Sequence, residues 1–271
     1  MGVRGLLTFC NHIKKPARNY PNARIGIDGF SLLFFFREDK AAFEKYLTRM
    51  LTLAGDLGSL TFVMDKRAAK EKKEVVEGRK EHRKEAKAEA QSLTSFTQSS
   101  EYEELDEKHR AVLERLIALK ERAAWHLYPE YLKWLIDLLK QLNIPLIWAE
   151  EEADTLLARG NYDIIVSSDS DMLILGARLL WIPTWKKTEV DHSEIDGQEF
   201  LQLIGLQGNQ LFEMAFLAGC DVHKSLMSVG EAVSRLRFYG SLEGIHRRQP
   251  DMVSKKELME YRKLLESVWA V

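Results

Sequence analysis

The chain has 271 residues, 45% hydrophobic and 30% charged, which is ordinary for a folded globular protein and argues against a disordered one. No apolar run reaches the roughly 18 to 20 residues of a membrane span, so a soluble chain with no membrane partner is expected. Net charge is −2, yet residues 66–90 hold ten Lys/Arg against six Glu, so a basic segment is set against an otherwise acidic chain.

The opening MGVRGLLTFCNH has no basic segment leading into a long apolar stretch and a small-residue cleavage site, so no secretory signal is read. Cys10 and Cys220 are the only cysteines, which excludes a disulfide framework and a thiolate zinc site and fits an intracellular, reducing compartment.

In chain order, four short apolar runs end in acid. Residues 24–27 lead to Asp28, residues 60–64 to Asp65, residues 144–149 to the Glu150–Glu152 group, and residues 163–166 to Ser167, Ser168 and Asp169. Such runs, alternating with longer helical segments, predict buried parallel strands of an α/β sheet. The fold class expected is a twisted, mainly parallel sheet flanked by helices. In such sheets the functional crevice lies beyond the carboxyl ends of the strands, so topology alone gathers these acids.

Residues 66–124 form an insertion far longer than an ordinary strand-to-helix connection. Its first part favours helix but has hardly any apolar face, so it is not expected to pack as a core helix. A polar break at residues 91–100 and a second helical pattern over 103–122 suggest two projecting helices with a mobile tip. Residues 131–142 are amphipathic and should pack on the sheet. A strand at 179–182, helices at 197–205 and 210–218, and a helical tail from Ser254 complete the pattern. A single domain over 1–271 is expected, with a C-terminal helical element over 205–271.

Seven acids carry the chemistry: Asp28, Asp65, Glu152, Asp154, Asp169, Asp171 and Asp221. Taken singly, Asp28 or Asp65 reads more naturally as a helix N-cap or turn residue, and the acids at 150–154 could complement a helix dipole. Asp169 and Asp171 are two apart, which in an extended segment points both carboxylates to one side. Two like charges about 4 Å apart repel by roughly 4 kcal/mol at an effective dielectric of about 20, so converging carboxylates require cations. All-oxygen ligation suits Mg²⁺ or Mn²⁺ rather than zinc. Two such ions about 4 Å apart would activate water and stabilise attacking and leaving oxygens in phosphoryl transfer.

The motifs Met1-Gly2-Val3-Arg4-Gly5-Leu6, Ile25-Gly26-Ile27-Asp28-Gly29, Phe62-Val63-Met64-Asp65, Glu152-Ala153-Asp154, Ser168-Asp169-Ser170-Asp171-Met172-Leu173 and Gly219-Cys220-Asp221 resemble, in order and spacing, the flap endonuclease/XPG superfamily of structure-specific 5′ nucleases. The resemblance runs from Met1 to about Ile245. It implies that all seven metal-site carboxylates are present, with Asp154 where many members carry Glu, and that two Mg²⁺ ions, replaceable by Mn²⁺, serve as cofactors. The insertion then corresponds to the family's helical gateway and arch, and Lys72 and Arg79 to the Lys and Arg that reach the scissile phosphate. Seven residues of α-helix make nearly two turns, so these two share a face about 10.5 Å apart; otherwise they belong to a solvated, ion-paired helix. Arg83 is expected on phosphates, Phe34 on a base near the cleaved bond, and the Gly2 backbone against the site. Since Phe34 lies in Phe34-Phe35-Phe36, at least two of these rings should be core.

Two departures stand out. The family's Gly-hydrophobic-Gly turn, which binds duplex phosphates often through potassium, reads Ser228-Val229-Gly230-Glu231, which puts a K⁺ site near Gly230 in question. No sliding-clamp motif is evident at the C-terminus. The resemblance implies a metal-dependent nuclease on DNA with duplex/single-strand junctions, above all a 5′ flap, in replication, repair or recombination. Two rivals are a 5′ to 3′ exonuclease on DNA or RNA and a non-catalytic nucleic-acid-binding scaffold; loss of site acids would favour the scaffold, and none is missing.

Overall fold

Seven strands of the computed structural model lie in one sheet: β1 (Lys15–Pro16), β2 (Arg24–Asp28), β3 (Ser59–Asp65), β4 (Leu146–Ala149), β5 (Ile164–Val166), β6 (Leu179–Lys186) and β7 (Glu189–Asp196). Residues 2–37, 39–55, 59–66, 73–150, 152–186, 189–221 and 223–267 are described. The order is β1-β7-β6-β5-β2-β3-β4, parallel from β6 through β4, with β7 antiparallel to β6 and β1. The four acid-tipped runs are β2 to β5, as expected. The chain moves outward from β2 through β3 to β4, then crosses to the other side of β2 to form β5 and β6. That reversal between β2 and β5 is a topological switch point, where open α/β sheets form a crevice beyond the strand ends.

Burial explains the strand placement. Ile25, Ile27, Phe62, Val63, Ile165 and Val166 are all buried, as central parallel strands covered on both faces require. Gly26 stands where any side chain would collide, since a Cβ there would lie 2.8 Å from Leu157 and from Tyr162. The missing side chain lets helix Ala153–Arg159 and the following loop lie on β2. Leu135 and Leu139 of helix Pro129–Gln141 are buried as their amphipathic spacing predicts.

Three features differ from the sequence reading. β6 continues past Ile182 to Lys186 and pairs along its length with β7, which lacks an apolar run because its inward residues include His192 and Glu194. Those buried polar groups are satisfied: the Tyr46 hydroxyl lies 2.9 Å from His192 Nε2, while Tyr20 and the Trp181 indole donate to Glu194 at 2.8 and 3.1 Å. Helix Lys40–Ala54 follows Asp39, whose side chain caps it by accepting from Ala42. The expected polar break at 91–100 is shorter, because helix Lys73–Phe96 runs through most of it and ends in a turn before the short helix Ser100–Glu103.

The chain divides into two compact units, Met1–Glu71 with Leu135–Val271, and Lys72–Trp134. Within the second, helix Lys73–Phe96 packs against helix Glu107–Ala124. The sequence reading found hardly any apolar face on the first of these. Its buried residues are Ala86 and Ala90, whose small side chains allow close approach without leucines.

In the first unit, helices Asn209–Ala218, Val229–Tyr239, Leu242–Arg248 and Lys255–Ser267 cluster together. Glu213 is buried among them, and its Oε2 has no hydrogen-bond partner. Burial pushes its carboxyl up to about 7, aided by the charge of Glu243 and opposed by the Leu242 backbone N–H. Tyr261 feels the Glu213 charge in turn, and burial raises its hydroxyl as well. A carboxyl whose folded pKa is raised contributes full stability below its unfolded pKa and loses it as pH rises through the folded value. Stability is therefore expected to fall from about pH 4.5 to 7 through this group. Glu213→Gln should flatten that dependence and add roughly 2 to 3 kcal/mol above pH 7, measured by urea denaturation across pH; an unchanged pH profile would refute the assignment.

Candidate active site at the strand ends

Asp28 closes β2 and also caps helix Gly29–Phe36, where its Oδ1 accepts from the Ser31 backbone N–H at 2.9 Å. Its Oδ2 accepts from the Ser167 hydroxyl at 2.9 Å. Both the capping and the site readings of Asp28 are thus physically compatible, since each oxygen keeps a second lone pair. Burial pushes its carboxyl up to about 6, with the charges of Asp169 and Asp65 adding to the rise; the Ser31 and Ser167 donors pull it back. Three acids from three strand ends therefore share one field.

Asp65 ends β3, and its Oδ1 accepts from the Ala153 N–H at 2.6 Å. Ala153 opens the helix whose own N-cap, Glu152, makes no capping bond with its side chain. The orphan donor at this helix start is met from the neighbouring strand, which ties Asp65 to the segment bearing Glu152 and Asp154. Asp154 lies in the helix's first turn.

Asp169 and Asp171 follow β5, but the segment between them is not extended. The chain turns at Ser170 (φ −72°, ψ −17°), and the Asp171 N–H donates to Asp169 Oδ1 at 3.0 Å. The two carboxylates are related by a side-chain-to-backbone turn instead of a shared strand face, because Asp readily caps the N–H two residues on. Asp171 Oδ1 accepts from the Val3 N–H at 3.0 Å.

The N-terminal segment touches both sides of this region. A Cβ on Gly2 would come within 2.2 Å of Asp169 Oδ1 and 2.3 Å of Ser170 Oγ, so no other residue fits without displacement. The Arg4 N–H donates to the Gly219 carbonyl at 2.9 Å, next to the Cys220–His223 bridge that carries Asp221. Three consecutive residues thus link the Asp169–Asp171 turn with the Asp221 loop. Among the described residues no three His, Cys, Asp or Glu side chains converge on one point; the acids line the strand ends.

Lys72 lies outside the described residues. Arg79 and Arg83 are half-buried on helix Lys73–Phe96, one turn apart, on the stripe that continues to Ala86 and Ala90. Of the three phenylalanines, Phe36 is buried and Phe35 stacks on Trp185 at 5.6 Å, while Phe34 is 43% exposed. Gly230 is the second residue of helix Val229–Tyr239, which Ser228 caps by accepting from Glu231 at 3.3 Å. A side chain at Gly230 would meet Phe9 at an ordinary 3.6 Å, so sterics do not demand glycine here. Glu231 is ion-paired with Arg235 at 2.8 Å. Ser228 and Glu231, the departures from the family turn, serve as helix cap and ion-pair partner.

The sequence reading missed Ser31 and Ser167. Asp28 followed three residues later by Ser31 is an N-cap spacing that could have suggested the first contact. Ser167 joins β5 to β2 across 139 residues, and no local pattern marks it.

The XPG I-region family model matches residues 143–221, which include Glu152, Asp154, Asp169, Asp171 and Asp221. Flap endonuclease 1 of Leishmania infantum is 32% identical over 116 residues, 39% of this chain and 29% of that protein. Exonuclease 1 of Arabidopsis thaliana is 31% identical over 103 residues, 35% of this chain and 14% of that protein. The matched part is thus under a third of either relative. The catalytic core of Rad2 in complex with DNA substrate superposes with a TM-score of 0.61 at 18% identity, covering 98% of this chain and 79% of that one. Sequence over the I-region and fold over nearly the whole chain point the same way: the chain carries a segment similar to the XPG I-region within a fold like that of the Rad2 catalytic core.

Ser167 is fully buried and serves two partners, donating to Asp28 and accepting from the Asp169 N–H at 3.0 Å. Ser167→Ala removes both of these buried hydrogen bonds and should lower stability by about 1 to 3 kcal/mol in urea denaturation. A loss under about 0.5 kcal/mol would show that these hydrogen bonds do not hold the strand ends together.

Proposed function

We propose that this chain is a metal-dependent nuclease that hydrolyses phosphodiesters in branched DNA, with a 5′ flap as its preferred substrate. The observation that carries the reading is the meeting of Asp28, Asp65 and Asp169 in one field at the switch point between β2 and β5. A buried carboxyl raised to about 6 by its burial, with the charges of Asp169 and Asp65 adding to the rise, is a cost that a purely structural turn has no reason to bear. The donor set is all carboxylate oxygen, which fits hard divalent cations. Asp28, Asp65, Glu152, Asp154, Asp169, Asp171 and Asp221 would hold two Mg²⁺ or Mn²⁺ ions. When bound, such ions neutralise charge on the phosphate and lower the pKa of a water that serves as nucleophile.

The protein's own groups do the remaining work. The Ser31 N–H and Ser167 hydroxyl orient the Asp28 carboxylate, and the Val3 N–H orients that of Asp171. Backbone donors fix these oxygens without adding a competing charge. Lys72 and Arg79 are assigned to the scissile phosphate, Arg83 to a neighbouring phosphate and Phe34 to base stacking, for which an exposed ring is a requirement. Gly2 is assigned to the site wall. Gly230 is assigned to duplex phosphate through its backbone N–H, without potassium. Phosphate contacts of this kind are sequence-blind and weaken with salt.

The XPG I-region match and the flap endonuclease relative support flap cleavage; the exonuclease relative supports a second reading, 5′ to 3′ exonucleolysis, at the same site. End-labelled 5′-flap, recessed, nicked, Holliday-junction and single-stranded RNA substrates should be incubated with Mg²⁺, with EDTA, and with Asp171→Ala. Cleavage one incision from the flap base, lost in EDTA and reduced at least about a hundredfold by the substitution, roughly 3 kcal/mol, is expected. Mononucleotide release from recessed ends alone would favour the exonuclease. Failure to cut any substrate would sink the nuclease assignment, and full activity of Asp171→Ala would sink the site.

A further inference from the structure

Helix Glu107–Ala124 uses one side to pack on helix Lys73–Phe96, with Leu113 and Ile117 half-buried and Lys120 paired to Glu89. Its adjoining face carries Val112, Leu116 and Leu119, which are 56, 40 and 65% exposed. Their spacing of four and then three residues sets them in one stripe, roughly 100° around the helix from Leu113 and Ile117. His109 and Ala123 extend the same heptad line. A helix with two adjacent apolar seams belongs in a bundle, and only one seam is covered here among the described residues.

The border of the open seam indicates what covers it. Lys108, Arg115 and Arg122 are exposed and seven residues apart, so they form a single line along the stripe on the side away from Leu113 and Ile117. Charges flanking an apolar helical seam select the partner and its orientation. A second copy of this helix is a poor match. Packed antiparallel it would set the Lys/Arg lines against each other, and packed parallel it would set them against Leu113 and Lys120.

We propose that this face docks an amphipathic α-helix of another protein, with its apolar stripe on Val112, Leu116 and Leu119 and an acidic flank facing Lys108, Arg115 and Arg122. The insertion then recruits a partner as well as carrying the cationic residues assigned to the phosphate.

The test uses the full chain and two fluorescein-labelled three-heptad peptides, both with leucine at the seam positions, one flanked by glutamate and the other by lysine. Fluorescence anisotropy should show the glutamate peptide binding at least about tenfold tighter than the lysine peptide. Leu116→Glu should abolish binding, and the combined Lys108→Glu, Arg115→Glu and Arg122→Glu variant should invert the preference. If circular dichroism shows Leu116→Glu unfolded, the inverted preference decides. Equal affinity for both peptides, or no inversion, overturns the proposal. So does a Leu116-dependent dimer in light scattering, or displacement of the peptide by single-stranded DNA or phosphatidylserine vesicles, either of which assigns the face to another ligand.

Discussion

Burial of a carboxylate, Asp28, beside the acids of neighbouring strand ends is the constraint on which the rest of this structure depends. β5, β2 and β3 run parallel and side by side, so whatever follows each strand is delivered to one edge of the sheet. Each is followed by Asp: Asp28 and Asp65 at the strand ends themselves, Asp169 three residues past β5. The surrounding chain supplies donors that hold the acids without cancelling their charge. Ser31, Ala153 and Val3 give backbone N–H groups, and Ser167 gives a hydroxyl. These donors are neutral dipoles, which fix the geometry of a carboxylate while keeping its charge. Elsewhere in the fold the opposite solution is used, as where Arg24 grips Asp163 through two bonds of 3.1 Å and holds its carboxyl down to about 2.

The N-terminal segment links the Asp169–Asp171 turn with the loop that carries Asp221. Gly2 lies against Asp169, the Val3 N–H reaches Asp171 and the Arg4 N–H reaches Gly219. Gly219 has φ 88°, and a Cβ there would sit 2.6 Å from the Ser225 backbone, so the loop that carries Asp221 also turns on a glycine. Backbone contacts from three successive residues transmit the position of one loop to the other more rigidly than side-chain contacts, which carry rotamer freedom. The C-terminal helices, which pack on the core through Phe212 and Phe216, are thereby joined to the strand ends by main chain as well as by apolar burial.

Much of this was legible in the sequence because it is local. β2 to β5 are short apolar runs, and the acids terminating them are adjacent in sequence, so both the strands and the candidate site could be read together. What escaped is non-local or depends on atoms that pattern reasoning discounts. β7 was missed because its buried positions hold His192 and Glu194, made tolerable by Tyr46, Tyr20 and Trp181 from other segments. The turn at Ser170 was missed because two acids after a strand read equally as extended, and the Asp169 carboxylate decides otherwise by capping Asp171. Helix Lys73–Phe96 was read as having hardly any apolar face because alanine carries little weight in a hydrophobic pattern, yet Ala86 and Ala90 are buried. Motif spacing sufficed to name the family, since the acidic positions are constrained by chemistry.

On the proposed function, substrate choice rests on different physics from bond cleavage. The acids occupy the sheet unit and are held by short hydrogen bonds within it, whereas Arg79 and Arg83 belong to the second compact unit, Lys72–Trp134. Phosphate recognition by long basic side chains tolerates variation in their placement, because the attraction falls off gradually and salt modulates it. Carboxylates assigned to shared cations would tolerate little, since a displacement of an ångström changes which oxygens can coordinate. Helix Glu107–Ala124, with one seam packed and the next exposed beside a line of cations, has the composition expected of a surface used for binding.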